Sequence, residues 1–215
     1  MTATLFYVTD PMCSWCWGFH PQLEQLRAAL PADIELRYVL GGLAPDSDEP
    51  MDDATRRYVQ AAWDEVEARA GACFNREFWT RCAPRRSTYP SCRAVLAAAA
   101  QDDDPGGASV AGPRARLMFE AIQRAYYLQA QNPSDTSVLN GLAAELEPLD
   151  ADRFAADLGS AAIEAQLQQG FALRRELGVS GFPSLVLVRG EARHVLWQGY
   201  ATARQVLQAL AQAPR

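Results

Sequence analysis

The chain of 215 residues contains no lysine, since all twenty of its basic residues are arginines. The absence of a lysine amine excludes Schiff-base chemistry and any other mechanism that needs a lysine nucleophile. Positive charge is also in deficit, because 26 acidic residues leave a net charge of -6. No basic run offsets this balance locally, and a phosphate backbone would be repelled. We therefore expect no nucleic-acid partner.

Long apolar runs are missing as well. Although 49% of the residues are hydrophobic, no stretch approaches the roughly 18 apolar residues that a membrane-spanning helix needs. The first residues, MTATLFYVTD, have no basic segment and no small-residue cleavage site, and they pass directly into a strand-like pattern. We expect a cytoplasmic protein without a membrane partner, built as one large domain or as a domain with an inserted subdomain.

Cysteine is scarce and occurs in an odd number. The five cysteines are too few to staple a chain of this length with disulfides; they are Cys13, Cys16, Cys73, Cys82 and Cys92. In a reducing compartment, a pair separated by two residues is more often catalytic or metal-binding than structural. Attention therefore falls on the segment DPMCSWCWGF, which carries Cys13 and Cys16.

The chain begins and ends with strand patterns. Thr4 to Val8 and Ile34 to Gly42 are apolar, β-branched and aromatic runs, and the apolar spacing from Cys13 to Leu30 between them is helical. Near the other end, Ser184 to Val188 and His194 to Gly199 suit a hairpin, which a last helix follows from Thr202 to Ala211.

Between about residues 52 and 178 strand signals nearly vanish, and alanine-rich helical patterns take over. The predicted helices are Asp52 to Ala70, Pro90 to Gln101, Pro113 to Gln131, Thr136 to Leu146 and Ser160 to Leu177. The order β-α-β, helical block, β-β-α predicts an α/β protein with a thioredoxin-like fold and a large all-helical insertion. We place the thioredoxin-like domain at residues 1–45 and 160–215, and the helical insertion at 46–159.

The position of the cysteine pair at the start of a helix predicts redox chemistry. Unpaired backbone N–H groups and the helix dipole favour a thiolate there, so the pKa of Cys13 is expected to fall below its usual value. Cys16, three residues later on the same face, could then resolve a mixed disulfide by attacking the sulfur of Cys13.

A second signal lies about 170 residues downstream, where GVSGFPSLVLV places Pro183 directly before a strand. Proline is tolerated at the first position of a strand. Together with the cysteine pair and the strand order, this position predicts a cis Phe182–Pro183 bond.

Four segments together, DPMCSWCWGF, YPSCRAVLAA, AIQRAYYLQAQNPSD and LGVSGFPSLVLV, resemble the DsbA family of thiol-disulfide oxidoreductases, in particular its FrnE-like cytoplasmic branch. The resemblance implies that Cys13 is the attacking thiol, Cys16 the resolving thiol and Pro183 the cis-proline. It also implies that the main chain of Phe182 touches an extended substrate. Strongly oxidising members carry a histidine between the cysteines, whereas this chain has Ser14 and Trp15, which we place among the substrate contacts.

Several other readings of single residues stay open. Cys13, Cys16 and His20 would share a helix face and could form three ligands of a zinc site, but no second closely spaced Cys/His pair completes it. The three remaining cysteines are read as buried apolar residues, with a Cys73–Cys82 bridge as the alternative. Asp10 is either a turn or cap residue or an acid that takes the proton of Cys16.

The function predicted for the chain is disulfide exchange with protein or peptide thiols through a Cys13–Cys16 dithiol, without a metal or organic cofactor. Glutathione is a further candidate partner, and a monomer or a homodimer is expected. The first alternative within the fold is a glutathione-dependent isomerase or transferase similar to the hydroxychromene-carboxylate isomerases and the kappa-class transferases. Those proteins generally have serine where Cys13 stands. A peptide-binding, chaperone-like module is the other alternative.

Overall fold

A computed structural model describes residues 3–214 and contains one four-stranded sheet. The strands are β1 (Ala3–Thr9), β2 (Ile34–Leu40), β3 (Ser184–Arg189) and β4 (Ala192–Gln198), arranged in the order β2-β1-β3-β4. β1 pairs with β2 in parallel, and the β1–β3 and β3–β4 pairs are antiparallel. The predicted thioredoxin-like arrangement of a β-α-β unit and a β-β-α unit is confirmed.

Nine helices accompany the sheet within the described residues. They are α1 (Ser14–Ala29), α2 (Asp53–Ala70), α3 (Phe78–Arg81), α4 (Tyr89–Ala99), α5 (Pro113–Tyr127), α6 (Thr136–Glu145), α7 (Ala151–Leu158), α8 (Ala161–Glu176) and α9 (Ala203–Gln212). Every helix predicted from the sequence is present, with ends that differ by a few residues. Sequence analysis missed α3 and α7, of four and eight residues, because so few turns carry little periodicity. No helix between residues 3 and 214 combines the length and the apolar character needed to cross a bilayer.

Alternation along the strands divides their side chains between two clusters. Leu5 and Tyr7 of β1 belong to the large core, whereas Val8 joins a smaller cluster with Val39 and Leu177. Successive side chains of a strand point to opposite faces of a sheet. The centre of the sheet is thus covered on both faces, which explains why β1 and β3 read as nearly continuous apolar runs, whereas the edge strand β4 is largely exposed.

The large core is continuous between the sheet and the predicted insertion. Phe119 of α5 lies edge-on to Tyr38 of β2 and Tyr7 of β1, with ring centroids 5.4 Å and 6.5 Å apart. All three side chains are buried in one cluster. The boundaries proposed for the insertion, residues 46–159, therefore stay a prediction about the chain and do not coincide with a gap in the core.

Candidate active site

Cys13 lies at the residue that precedes the first turn of α1. Its backbone is extended (φ -82, ψ 117), its N–H donates to Asp10 O at 3.1 Å, and its carbonyl accepts from Trp17 N at 3.0 Å. No side chain caps this helix. The first N–H groups of a helix have no intrahelical partners, and they carry partial positive charge. The Cys13 thiol therefore lies at the positive end of α1.

The two thiols differ in access. Cys13 is 6% exposed and lines a cavity, whereas Cys16 is completely buried in the first turn of α1. The thiols lie close enough to share a hydrogen bond. An incoming disulfide can therefore meet Cys13 first, with Cys16 behind it.

The loop before β3 lies against Cys13. The Phe182–Pro183 peptide bond is cis, and the Cys13 thiol donates to Phe182 O at 3.9 Å. Gly199 N donates to Pro183 O at 2.8 Å, which ties the loop to the end of β4. The structure thus brings together Cys13, Phe182 and Pro183, which lie about 170 positions apart in the sequence.

The Phe182 ring packs against Gly41, directly after the end of β2. A Cβ atom on Gly41 would lie 2.1 Å from Phe182 Cε1, so no side chain fits there without moving the ring. Arg174 of α8 donates to Gly41 O at 2.8 Å and lies over the Phe182 ring, 5.7 Å from its centroid. Gly41 and Arg174 together determine where Phe182 lies.

Asp10 is fully buried next to the dithiol turn. Its carboxylate accepts from Met12 N at 2.8 Å, Leu43 N at 2.7 Å and Thr88 Oγ1 at 2.7 Å, and from the Cys92 thiol at 3.5 Å. Burial raises the pKa of Asp10, although these hydrogen bonds oppose the change. Asp10 joins the dithiol turn to the loop after β2 and to α4, and its role in moving a proton stays a prediction.

The pKa of Cys13 differs from the sequence-based expectation. The hydrogen bond with Cys16 and burial of the sulfur raise the pKa of Cys13 well above its ordinary value, and the negative charge of Asp10 adds to the effect. The expected fall in this pKa is therefore wrong for the dithiol form. The helix terminus favours the thiolate, but the shared proton and the low-polarity surroundings outweigh it.

Ser14 and Trp15, the predicted substrate contacts, both line the cavity next to Cys13. The Trp15 ring lies 6.1 Å from that of Tyr200, and the Arg69 guanidinium lies 5.5 Å from its centroid. Trp15 also borders a second, shallower depression that includes Tyr200 and Phe182. Aromatic side chains therefore adjoin the dithiol turn at Trp15 and Phe182.

The structure also locates the residues of the open alternatives. His20 stacks on Trp17, with ring centroids 6.0 Å apart, and residues 3–214 contain no group of three His, Cys, Asp or Glu side chains placed to hold a metal ion. All five cysteines are free. Cys92 is buried against Asp10 as expected, and the half-buried Cys82 donates to Ala130 O at 3.2 Å, but the expectation of burial is wrong for Cys73, which is exposed.

Sequence analysis missed three arginines at the cavity. Arg85, Arg86 and Arg174 line it together with Cys13. The first two precede α4 and the third lies in α8, so no spacing in the sequence connects them with the cysteines.

Comparisons with known proteins bear on the family and the fold of this chain. A family model described as "Thioredoxin" matches residues 6–205. A candidate protein disulfide isomerase from Nitrosomonas europaea is 28% identical, with a TM-score of 0.83 over 98% of this chain and 97% of that one. The cytosolic disulfide reductase DsbM from Pseudomonas aeruginosa is 28% identical, with a TM-score of 0.69 over 97% of this chain and 94% of that one. DsbM has also been solved with glutathione.

A curated relative, the ClpXP adapter protein SpxH of Halalkalibacterium halodurans, is 22% identical over 85% of this chain. The chain spans 57% of the length of that relative. The family match covers most of the chain, and the two structures support the predicted DsbA-like character. The chain therefore belongs to the thioredoxin family, with the helix-enlarged, DsbA-like form of its fold.

Proposed function

We propose that this protein is a cytoplasmic thiol-disulfide oxidoreductase that reacts through Cys13 and Cys16. One observation carries the proposal: a thiol at the start of α1 lines a cavity, with a fully buried second thiol behind it and the Phe182 carbonyl beside it. This arrangement has an entry position for a substrate sulfur and an internal group to release it.

The reaction follows from the unequal access of the two thiols. As a thiolate, Cys13 attacks one sulfur of a substrate disulfide, forming a mixed disulfide and releasing the other substrate sulfur as a thiolate. Cys16 then attacks Cys13 Sγ, which closes the Cys13–Cys16 disulfide and releases the second substrate sulfur. The two thiol protons end on the two released sulfurs. The substrate is reduced by two electrons, the protein dithiol is oxidised, and the reverse sequence oxidises a substrate dithiol.

Substrate contacts are assigned to the surfaces next to Cys13. The backbone of Phe182 and Pro183 borders the sulfur and can receive an extended chain, while Ser14 and Trp15 form the adjoining edge. We propose protein or peptide thiols as partners, with glutathione as a second thiol partner. The cytosolic DsbM and its structure with glutathione support the compartment and this partner.

Insulin reduction tests the assignment. Cys13→Ser should abolish turnover, because among the described residues no other thiol lines the cavity. Cys16→Ser should instead accumulate mixed disulfides that intact-mass spectrometry detects, because the resolving sulfur is missing. Cys73→Ser, an exposed cysteine outside the cavity, is the matched control and should keep full activity. Turnover by Cys13→Ser at the rate of the unmodified protein would disprove the proposal.

A further inference from the structure

The cavity beside Cys13 has a charge opposite to that of the whole protein. Its volume is about 260 Å³, and it is lined by Arg85, Arg86 and Arg174. Among the described residues that line it, there is no aspartate or glutamate. A chain with a net charge of -6 thus places three arginines around the cavity that Cys13 lines.

Of these three arginines, only Arg85 has a carboxylate partner within residues 3–214. It lies 2.6 Å from Asp135 Oδ1 and also donates to Ser134 O at 2.8 Å, so a neighbouring acid neutralises its charge. For Arg86 and Arg174, no ion pair forms with any acid in residues 3–214. The positive charges of these two guanidinium groups at the cavity are therefore not balanced by an ion pair within the described residues.

The surroundings of these two arginines leave donor groups unused. Arg174 donates one hydrogen bond to Gly41 O and lies over the Phe182 ring. Its buried Nε has no hydrogen-bond partner among the described residues. Arg86 lies over the Tyr58 ring, 5.8 Å from its centroid. The carboxylate of Asp10 is buried and accepts hydrogen bonds from Thr88 and Leu43, so it does not pair with either arginine. A buried polar atom without a partner is uncommon and points to a missing acceptor.

We propose that Arg86 and Arg174 form an anion subsite that receives a carboxylate of the substrate while its sulfur lies at Cys13. A guanidinium binds a carboxylate through short, charge-assisted hydrogen bonds. At about 260 Å³ the cavity is smaller than typical drug-sized sites, so it suits a group of a few atoms. The favoured substrate is thus a small thiol or disulfide whose carboxylate is a few bonds from sulfur, the chemical class of glutathione.

This inference rests on the proposed exchange reaction and adds to it a preference for substrates with a carboxylate near the sulfur. With glutathione disulfide, Cys13 forms a mixed disulfide and releases one glutathione, and Cys16 then closes the protein disulfide and releases the second. The protein loses two electrons and two thiol protons, and both glutathione molecules leave as thiols. The subsite acts in the first step, because it places the incoming disulfide against Cys13.

Rates with two disulfides separate charge recognition from thiol chemistry. The reduced protein is mixed with glutathione disulfide or with the uncharged bis(2-hydroxyethyl) disulfide, and the second-order rate constants are compared as a ratio. Arg86→Gln should lower this ratio about tenfold, and 0.5 M salt should weaken the preference of the unmodified protein, since partly exposed charges are screened. Arg57→Gln changes the net charge equally from an exposed position of α2 outside the cavity, and should leave the ratio unchanged.

Arg174→Gln provides a second variant, and thermal melts with circular dichroism must first show that it folds, because Arg174 also holds Gly41 O. It should lower the ratio as well. A ratio that stays the same in both folded variants overturns the subsite while leaving the proposed exchange reaction intact. Equal effects of Arg57→Gln and Arg86→Gln would also overturn it, since they would show a general charge effect. If Cys13→Ser still reacted with both disulfides as fast as the unmodified protein, that result would instead contradict the exchange reaction itself.

Discussion

At the scale of single residues, the proposed exchange reaction depends on the protonation state of the Cys13 sulfur. The thiolate is the nucleophile in disulfide exchange, and a raised pKa keeps most of the population protonated near neutral pH. What compensates is intrinsic nucleophilicity, which increases with thiol pKa. The geometry therefore favours a dithiol that is slow at low pH and becomes faster in alkaline solution.

The pH dependence of Cys13 alkylation tests this point. Only the thiolate reacts, so the iodoacetamide rate should rise about tenfold per pH unit from pH 6 to pH 8 and should not level off within that range. Peptide mass spectrometry assigns the label, and Cys13→Ser shows the background from other cysteines. A plateau below pH 7 would mean that the helix terminus dominates over burial and the neighbouring thiol.

The positions of candidate site residues were predictable from the sequence only where residue type and local position single them out. The spacing of Cys13 and Cys16 identifies them as candidates, and the place of Pro183 before a strand does the same for Pro183. Arg86 and Arg174 do not, because arginines are scattered along the whole chain and nothing local distinguishes these two. The direction of the Cys13 pKa shift was also beyond the sequence, since it depends on burial and on a charge brought close by folding.

At the scale of elements, the end of β2 and the loop before β3 behave as one unit. Gly41 leaves room for the Phe182 ring, and the Phe182 carbonyl accepts from Cys13. A change at Gly41 therefore acts on the dithiol through the loop, although Gly41 is not itself assigned a contact with substrate.

Gly41→Ala should slow insulin reduction about tenfold, because the new methyl group displaces the Phe182 ring and moves the loop from Cys13. The free energy of unfolding should fall by about 1–3 kcal/mol, as in other overpacked sites. Gly141→Ala is the matched control: it lies in α6 with open space around it, so it should leave the rate unchanged and add about 0.5–1 kcal/mol of stability. Unchanged turnover in Gly41→Ala would show that activity does not depend on the position of the Phe182 loop, against this prediction.

Element types were largely predictable, for physical reasons visible in the chain. Period-two alternation is weak in β1 because both its faces are buried, yet its short length and β-branched composition still mark a strand. Longer helices such as α2 and α5 carry several turns of amphipathic pattern. The eight-residue α7 depends on its Asp150 cap and on packing against α4 and α6, which only the folded chain supplies.

At the scale of the whole molecule, the shared core argues for one cooperative unit. A helical insertion that folded independently would be joined to the sheet through few buried contacts. Here the rings of Tyr7, Tyr38 and Phe119 pack together, and the active-site turn is tied to α4 through Asp10 and Thr88. Folding of the helices and formation of the site should therefore be linked.

Replacement of Phe119 by alanine tests this linkage. Phe119 is 1% exposed, and loss of such a ring from a core should cost about 3–5 kcal/mol. In a single cooperative unit that cost appears everywhere, so native-state hydrogen exchange should show equal losses of protection in peptides from β1 and from α2. Phe154→Ala removes a fully buried ring from α7 and so perturbs the helical segment from within. It should also lower the hydrogen-exchange protection of both β1 and α2. Retained protection of β1 in both variants, with α2 exchanging freely, would instead establish residues 46–159 as a separately folding subdomain.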